Sequence, residues 1–228
     1  MRKLLGLLLC ISAIPVFGQG KEEDRLKESY AVLKEILGMP DRGIPRGLLD
    51  RAECVVIVPS VLKAAFVVGA SYGRGVMLCR RGQNYNGPWS APAMYALEGG
   101  SFGLQIGGQA TDFVLLVMNA RGANSLMSSR VKLGADASAA AGPVGRNTSA
   151  ETDIAMHAQI LSWSRARGVF AGVSLAGSTL RSDGGANKNL YGQNLSARQI
   201  LREGKVKTPP AAKQLVQLLQ TTSPRHAS

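Results

Sequence analysis

The stretch CVVIVPSVLKAAFVVGASYGRGVMLC, residues 54–79, decides the fold of this 228-residue chain. It opens a region, continuing to Met118, in which short runs rich in valine, isoleucine and phenylalanine alternate with glycine, a pattern typical of strands joined by tight turns. The runs predicted as strands are 54–58, 64–68, 75–79, 93–98, 102–106 and 113–118. The segments between them are too short for helical crossovers, so we expect antiparallel pairing. Glycines within strands mark bends and bulges, which predicts a strongly curved sheet or a barrel-like core.

Helical patterns lie on both sides of this region. Residues 21–37 place Leu26, Tyr30, Leu33 and Leu37 on one face of a helix that ends at Gly38. Further helices are predicted at 45–53, 120–129, 149–164, 196–202 and 211–220, with a last strand at 169–175. The predicted fold class is therefore α+β: a curved antiparallel sheet or barrel-like β core with an N-terminal helix and further flanking helices.

The first eighteen residues have the pattern of a secretory signal peptide. Arg2 and Lys3 precede an apolar run over 4–16, and Gly18 offers a small residue at the cleavage position. The run is too short for an ordinary membrane span, although an uncleaved anchor stays open. Lipid modification of Cys10 also stays open, but Leu9 stands where a small residue is expected. We expect residues 1–18 to be a signal peptide, 19–221 one domain, and 222–228 a flexible tail.

The chain is strongly basic, and the predicted export determines what this charge indicates. The net charge is +12, and removing residues 1–18 takes away two basic and no acidic residues, leaving 25 minus 15, or +10. Disorder is excluded because 45% of the residues are hydrophobic. An exported protein, periplasmic or secreted, does not meet genomic DNA, and the sequence has no helix-turn-helix, zinc-finger or RNA-binding signature. We therefore expect no nucleic-acid partner, and the charge favours an anionic membrane surface.

Two cysteines remain after the predicted leader, Cys54 and Cys79. Both lie in apolar, strand-like runs that could pair. An even number of cysteines in an oxidising compartment favours a disulfide, and the alternative is two buried free thiols.

The sequence offers weak evidence for catalysis or a cofactor. GGSFG, residues 99–103, fits the nucleophile pattern of a serine hydrolase, with Ser101 as nucleophile, Asp112 or Asp136 as the acid, and His157 as the base. That pattern requires a helix after the serine, whereas residues 104–108 read as a strand. No Walker loop, dinucleotide fingerprint or metal-ligand cluster is present in the sequence, so we expect no cofactor, no metal and no enzyme activity.

Six basic residues are candidates for binding a lipid headgroup. They are Lys63, Arg74, Arg80, Arg81, Arg165 and Arg167, all next to predicted strands or turns. If they share one face, they form an anion-binding patch. The alternative is a set of scattered, solvated charges.

Several long motifs resemble the SYLF-domain family. They are AECVVIVP (52–59), GPWSAP (87–92), GGSFGLQIGGQ (99–109), LGAD (133–136) and AGPVG (141–145), and the resemblance extends over residues 26–219. Eukaryotic members bind phosphoinositides and other lipids and bundle actin, while bacterial members are typically exported. The resemblance implies lipid binding, and for an exported member the implied ligand is an anionic phospholipid such as phosphatidylglycerol or cardiolipin, with no actin expected.

Two further implications follow from this resemblance. Some eukaryotic members use an N-terminal amphipathic helix at membranes, but the polar face of helix 21–37 carries five acidic and four basic residues, which weakens such a role here. The second hypothesis for function is an envelope structural or protein-interaction domain without lipid affinity, whose partner the sequence does not identify. The serine hydrolase is third.

Overall fold

The computed structural model describes residues 19–39, 43–65, 68–102, 109–128, 130–144, 157–166 and 169–224. Six helices are defined in this part of the chain: α1 (Gln19–Leu37), α2 (Arg46–Arg51), α3 (Ala120–Ser128), α4 (Gly184–Tyr191), α5 (Ala197–Leu201) and α6 (Lys213–Thr222), the last after a 3-10 turn at Pro210–Ala212. Nine strands are defined there as well: β1 (Cys54–Ala65), β2 (Val68–Cys79), β3 (Ala93–Phe102), β4 (Gln109–Val117), β5 (Val131–Lys132), β6 (Ala139–Ala141), β7 (Ile160–Ala166), β8 (Val169–Gly172) and β9 (Thr179–Ser182). The predicted signal peptide lies outside the described residues.

All nine strands form one curled sheet. Its order is β5-β9-β3-β2-β1-β4-β7-β6, and β8 pairs with β7 beside this path. Every pairing is antiparallel except that of β6 with β7. The four long strands follow the spatial order 4-1-2-3 of a Greek key. The predicted α+β fold with a curved, mainly antiparallel sheet is confirmed.

The two ends of the sheet differ. The chain passes from β1 to β2, from β3 to β4 and from β7 to β8 at one end, which we call the connecting end. At the other end Cys54 and Cys79 are directly paired in β1 and β2, and a disulfide joins them. Of the two alternatives for these cysteines, a disulfide and two buried free thiols, the structure supports the disulfide.

Helices cover both faces of the sheet and create two cores. On β1, Val56 and Val58 point to the core beneath α3 and α5, which we call the α3 face. Val55 and Ile57 point to the core beneath α1, α2 and α6, the α1 face. Burial of alternate residues on both sides explains why CVVIV is continuously apolar instead of alternating with polar residues.

A bulge in β1 explains two glycines of β2. The β1–β2 register shifts between Ile57 and Leu62, and Ser60 has a positive φ of 50°. Opposite the bulge, a Cβ on Gly75 would lie 2.1 Å from the carbonyl oxygen of Ile57, and one on Gly73 would lie 2.4 Å from a methyl group of Val61. The sequence GRG therefore lies inside a strand, where only glycine lets the two backbones approach.

Three of the predicted elements differ in the structure. The predicted bounds of the strand at 64–68 are wrong, because β1 ends at Ala65 and β2 begins at Val68, while residues 66 and 67 lie outside the described residues. Residues 160–164 of the predicted helix lie in β7, where Ile160, Leu161 and Trp163 are all buried. When both faces of a strand are buried, an apolar run does not distinguish a strand from a helix.

The third difference is that the chain forms another strand and helix after β8. The strand predicted at 169–175 is shorter, ending at Gly172, and it is followed by β9 and α4. The segment DGGAN looks like a polar turn, but the Asp183 carboxylate accepts a hydrogen bond from the backbone N–H of Ala186 at 3.1 Å. Asp183 therefore caps α4, and its glycines are the first residues of a helix.

A buried arginine fastens the C-terminal segment at the disulfide end. The guanidinium of Arg80 is fully buried and donates hydrogen bonds to the carbonyl oxygens of Ala52, Ser223 and Pro224, at 3.2, 3.1 and 2.7 Å. It also lies 4.6 Å from the centroid of the Trp89 ring, whose N–H donates to the carbonyl of Ser223. Burial lowers the pKa of Arg80. The positive charge of Arg80 is stabilised by these backbone carbonyl groups. An uncharged side chain in its place would leave the carbonyl groups without hydrogen-bond donors.

Replacing Gly75 with alanine should strongly destabilise the fold. The added methyl group would collide with the backbone at Ile57, so the bulge would have to move, and we expect a loss of about 2 kcal/mol or more in the free energy of unfolding. Gly100→Ala is the matched control, because a Cβ at Gly100 meets nothing within 4 Å. Urea denaturation of both variants measures the difference, and equal midpoints would contradict the role given to the bulge.

The carboxyl group of Glu53, near Arg80, should make stability depend on pH. Burial raises the pKa of Glu53 from 4.5 to about 7, against the opposing attraction of Arg80 and Arg202, and Oε2 is buried without a hydrogen-bond partner. Because the folded state holds the proton more tightly than the unfolded chain, the protonated form contributes stability in full below pH 4.5. This contribution is lost as the pH rises through about 7.

We therefore expect Glu53→Gln to raise the free energy of unfolding at about pH 8, on the order of 1 kcal/mol, and to change it little at about pH 4. Denaturation curves at both pH values measure this effect. Glu28→Gln, at an exposed position of α1, should leave the pH profile unchanged. A Glu53→Gln profile parallel to that of the unsubstituted chain would show that Glu53 is not the responsible group.

Candidate functional site

Part of the α1 face of the sheet is exposed to solvent at the connecting end. Five exposed residues lie together there: Leu62, Ala70, Tyr72, Gly100 and Ala110. Leu62 is the register partner of both Tyr72 and Ala110, and Ala70 is the partner of Gly100. Leu62 is 65% exposed and Tyr72 is 43% exposed. We call this five-residue surface the outer sheet face.

The coverage by α1 ends at a chain of ion pairs. Glu35, near the end of α1, pairs with Arg165 of β7, and Arg165 also pairs with Asp112 of β4. The second oxygen of Asp112 accepts the backbone N–H of Ser60, in the β1 bulge, at 2.8 Å. The bulge, β4, β7 and α1 are thus joined along one line across the sheet. The outer sheet face begins beyond this line.

Helix α1 does not offer an apolar face to a membrane in this structure. Leu26, Leu33 and Ile36 are fully buried against the sheet. The apolar stripe of α1 is part of the core, so its remaining surface is the mixed-charge face. This agrees with the charge argument from the sequence.

Arg74 lies directly beside the outer sheet face. Its Nε donates to the hydroxyl of Tyr72 at 2.8 Å and lies 3.4 Å from a carboxylate oxygen of Asp183. The hydrogen bond to Tyr72 raises the pKa of Arg74. A charged group and an aromatic ring are therefore held together at the edge of an apolar surface.

Two more arginines extend this charge across β3 and β9. Glu98 is the register partner of Tyr72, and its carboxylate accepts from Arg181 Nε at 2.8 Å. The same carboxylate lies 4.0 Å from Arg130, whose side chain is 66% exposed. The hydrogen bond to Glu98 raises the pKa of Arg181. Arg74, Arg130 and Arg181 form what we call the arginine group, in which Glu98 is shared by two guanidiniums.

Sequence reasoning missed two members of this group. Arg181 lies in β9, which the sequence pattern did not predict, and Arg130 lies in the short segment between α3 and β5. The pairing of β3 with β9 places Arg181 opposite Ala96, which is also opposite Arg74. Only this non-local pairing brings the three arginines to one region.

The six predicted headgroup residues do not form one patch in the described part of the chain. Arg74 is exposed beside the outer sheet face, whereas Arg80 is fully buried and belongs to the core. Arg81 is exposed at the disulfide end, seven residues or roughly 20 Å along the strand from Arg74. Arg165 is engaged by Glu35 and Asp112. The Lys63 side chain and Arg167 lie outside the described residues.

The described residues give three of the hydrolase candidates a place in the fold. Ser101 lies in β3, paired with Gly69 of β2, and residues 103–108, which the nucleophile pattern requires to begin a helix, lie outside the described residues. Asp112 contacts Arg165 and Ser60, and Asp136 accepts the backbone N–H of Lys132 at 2.7 Å. Each candidate acid thus has a structural role.

Two features are absent from the described residues. These residues contain no group of three or more histidine, cysteine, aspartate or glutamate side chains arranged to hold a metal ion. No helix among them is long and apolar enough to span a bilayer.

Comparison with known proteins identifies the family. The family profile Ysc84, described as "Las17-binding protein actin regulator", matches residues 98–222. Protein YSC84 of Saccharomyces cerevisiae is 33% identical over 204 residues, which cover 88% of this chain and 42% of that protein. The YSC84-like protein 1 of Xenopus laevis, an SH3 domain-containing protein, is 31% identical over 219 residues, covering 93% of this chain and 63% of that protein.

The chain thus spans less than two thirds of the length of these relatives. The similarity extends over most of the chain, which includes the strands and helices of both cores. The resemblance deduced from the sequence motifs is confirmed: the chain belongs to the Ysc84 family, the family of the SYLF domain.

Proposed function

We propose that this chain is a non-enzymatic lipid-binding domain that associates with anionic phospholipid at a membrane surface. The outer sheet face and the arginine group make the contact. The single observation that carries the proposal is the uncovered part of the sheet, where Leu62 and Tyr72 are exposed directly beside Arg74. Water-exposed apolar groups next to fixed positive charges match the boundary between acyl chains and phosphates.

Both parts of this surface are needed for useful affinity. Full burial of a leucine or tyrosine-sized apolar side chain is worth about 1.5–3 kcal/mol, and each arginine near an anionic bilayer about 1 kcal/mol. Glu98 offsets part of the positive charge, because it pairs with Arg181 and lies near Arg130. We therefore propose weak, reversible and salt-sensitive association, with Leu62 and Tyr72 reaching into the interface.

The identity of the lipid follows from the proposed location. We propose that residues 1–18 are a signal peptide and that the domain is exported, periplasmic or secreted. The accessible anionic lipids are then phosphatidylglycerol or cardiolipin, and actin is not a partner. The family is named for Las17 binding and actin regulation, and one yeast relative is named "LAS seventeen-binding protein 3". We do not propose these properties for this chain.

Those names favour a second candidate function, a protein-interaction domain without lipid affinity. The outer sheet face would then bind a protein partner. One result separates the two candidates. A lipid-binding domain binds protein-free vesicles, whereas a protein-interaction domain without lipid affinity does not.

Vesicle binding should depend on the outer sheet face. We expect the full chain to sediment with phosphatidylglycerol-containing vesicles at low salt, and much less with phosphatidylcholine vesicles or at high salt. The double variant Leu62→Ser/Tyr72→Ser should bind at least about tenfold more weakly than the unsubstituted chain, since it removes the apolar contact. Sedimentation over a series of lipid concentrations measures the partition coefficient.

A pair of arginine variants tests the placement of the charge. Arg74→Gln should weaken binding and reduce its salt dependence, while Arg81→Gln, an equal loss of charge at the disulfide end, should have a smaller effect. Equal effects would indicate attraction by net charge alone. Failure of the unsubstituted chain to bind phosphatidylglycerol vesicles at low salt would reject the lipid proposal in favour of the protein-interaction domain.

A further inference from the structure

A cavity of about 620 Å³ opens beside the arginine group. It lies between the C-terminal turn of α3, the end of β9, the beginning of α4 and the segment that leads into α5. Its volume is within the range of small-molecule sites, roughly 300–1,000 Å³.

The charged groups of the cavity are all positive among its described lining residues. Arg130 and Arg181 line it, and the lining contains no aspartate or glutamate. Glu98 lies outside the lining and is shared by these two arginines, so one carboxylate faces two guanidiniums. Asp183, between the lining residues Ser182 and Gly184, pairs with Arg74, so the three arginines of the group face two carboxylates. The remaining charge of +1 favours an anion.

The two arginines differ in how firmly they are held. Arg181 Nε is 2.8 Å from Glu98, which fixes the guanidinium against β3. Arg130 is only within 4.0 Å of the same carboxylate and is mostly exposed. Arg130 is thus free to turn toward a ligand, while Arg181 provides a fixed charge. Such a pair suits the tetrahedral oxygens of a phosphate.

The remaining lining indicates what the phosphate is attached to. Ser128, Ser182 and Asn194 supply hydroxyl and amide groups, which hydrogen-bond hydroxyl groups of a ligand. Leu126 and Leu195 supply an apolar wall for a short carbon skeleton.

We propose that this cavity binds the phosphate ester of a small hydroxylated molecule, of the glycerophosphate class, through Arg130 and Arg181. This inference rests on the proposed function only where it names a membrane lipid as one source of the ligand. The same chemistry is offered by the headgroup of phosphatidylglycerol and by a free phosphate ester in solution.

Titration of the ¹⁵N-labelled full chain with sn-glycerol 3-phosphate, followed by NMR, tests the site. We expect saturable shifts of the backbone amides near Ser182, Gly184 and Asn194, and no such shifts with glycerol, which lacks the charge. Arg130→Gln should weaken binding about tenfold, because it removes a charged hydrogen-bond donor from an exposed position that the fold does not need. Arg121→Gln, an exposed arginine of α3 outside the cavity lining, is the matched control and should bind as the unsubstituted chain.

The absence of saturable shifts, or equal weakening by Arg130→Gln and Arg121→Gln, would overturn the proposed site. If saturable shifts are seen, competition between sn-glycerol 3-phosphate and vesicles identifies the source of the ligand. If sn-glycerol 3-phosphate displaces the chain from phosphatidylglycerol vesicles, the cavity holds the lipid headgroup; if it binds without displacement, the ligand is a soluble ester. Leu62→Ser/Tyr72→Ser should lose vesicles yet keep this soluble binding, which separates failure of the membrane surface from failure of the cavity.

Discussion

The structure depends on burying a single sheet on both faces. Because β1 is central and apolar on both sides, the fold needs a helical layer on each face of the sheet. Different helices form the two layers and bury the two cores. The layers do not extend equally. Helix α1 crosses the sheet, with Arg25 against Met94 of β3 and Glu35 against Arg165 of β7. Toward the connecting end from this crossing, Leu62 and Tyr72 meet solvent although the strands that carry them continue. The candidate membrane surface therefore depends on where this helix crosses the sheet.

The two ends of the sheet are built for different purposes. At one end the disulfide, the buried Arg80 and the stacked Trp89 join β1, β2 and the C-terminal segment into a tightly packed unit. Toward the connecting end, the described polar contacts of Glu35, Arg165 and Asp112 run along the surface of the sheet. The bulge at Ser60 lies between these regions, and its backbone N–H is bonded to Asp112, which also holds Arg165. The disulfide and the buried hydrogen bonds of Arg80 thus lie away from the surface that is proposed to meet lipid.

Local sequence patterns were sufficient for the fold class and insufficient for the site. The helix at residues 21–37 and the antiparallel strand region are readable because Leu26, Leu33 and the glycine-separated valine runs repeat at clear periods. The role of Arg80 was not readable, because a charged residue is expected at the surface and its carbonyl partners lie up to 144 positions away. Arg181 was missed for a related reason: β9 has four residues with only Leu180 fully buried, so its pairing with β3 is fixed by tertiary contacts and not by local pattern. Arg74 was found because it directly precedes the predicted strand at 75–79.

The attachment of Ser223 and Pro224 to Arg80 also fixes where the last described residues leave the sheet. The backbone carbonyls of these two residues are held at the disulfide end, opposite to the connecting end. Residues 223 and 224 are therefore remote from the outer sheet face, and the proposed contact with a bilayer does not involve them.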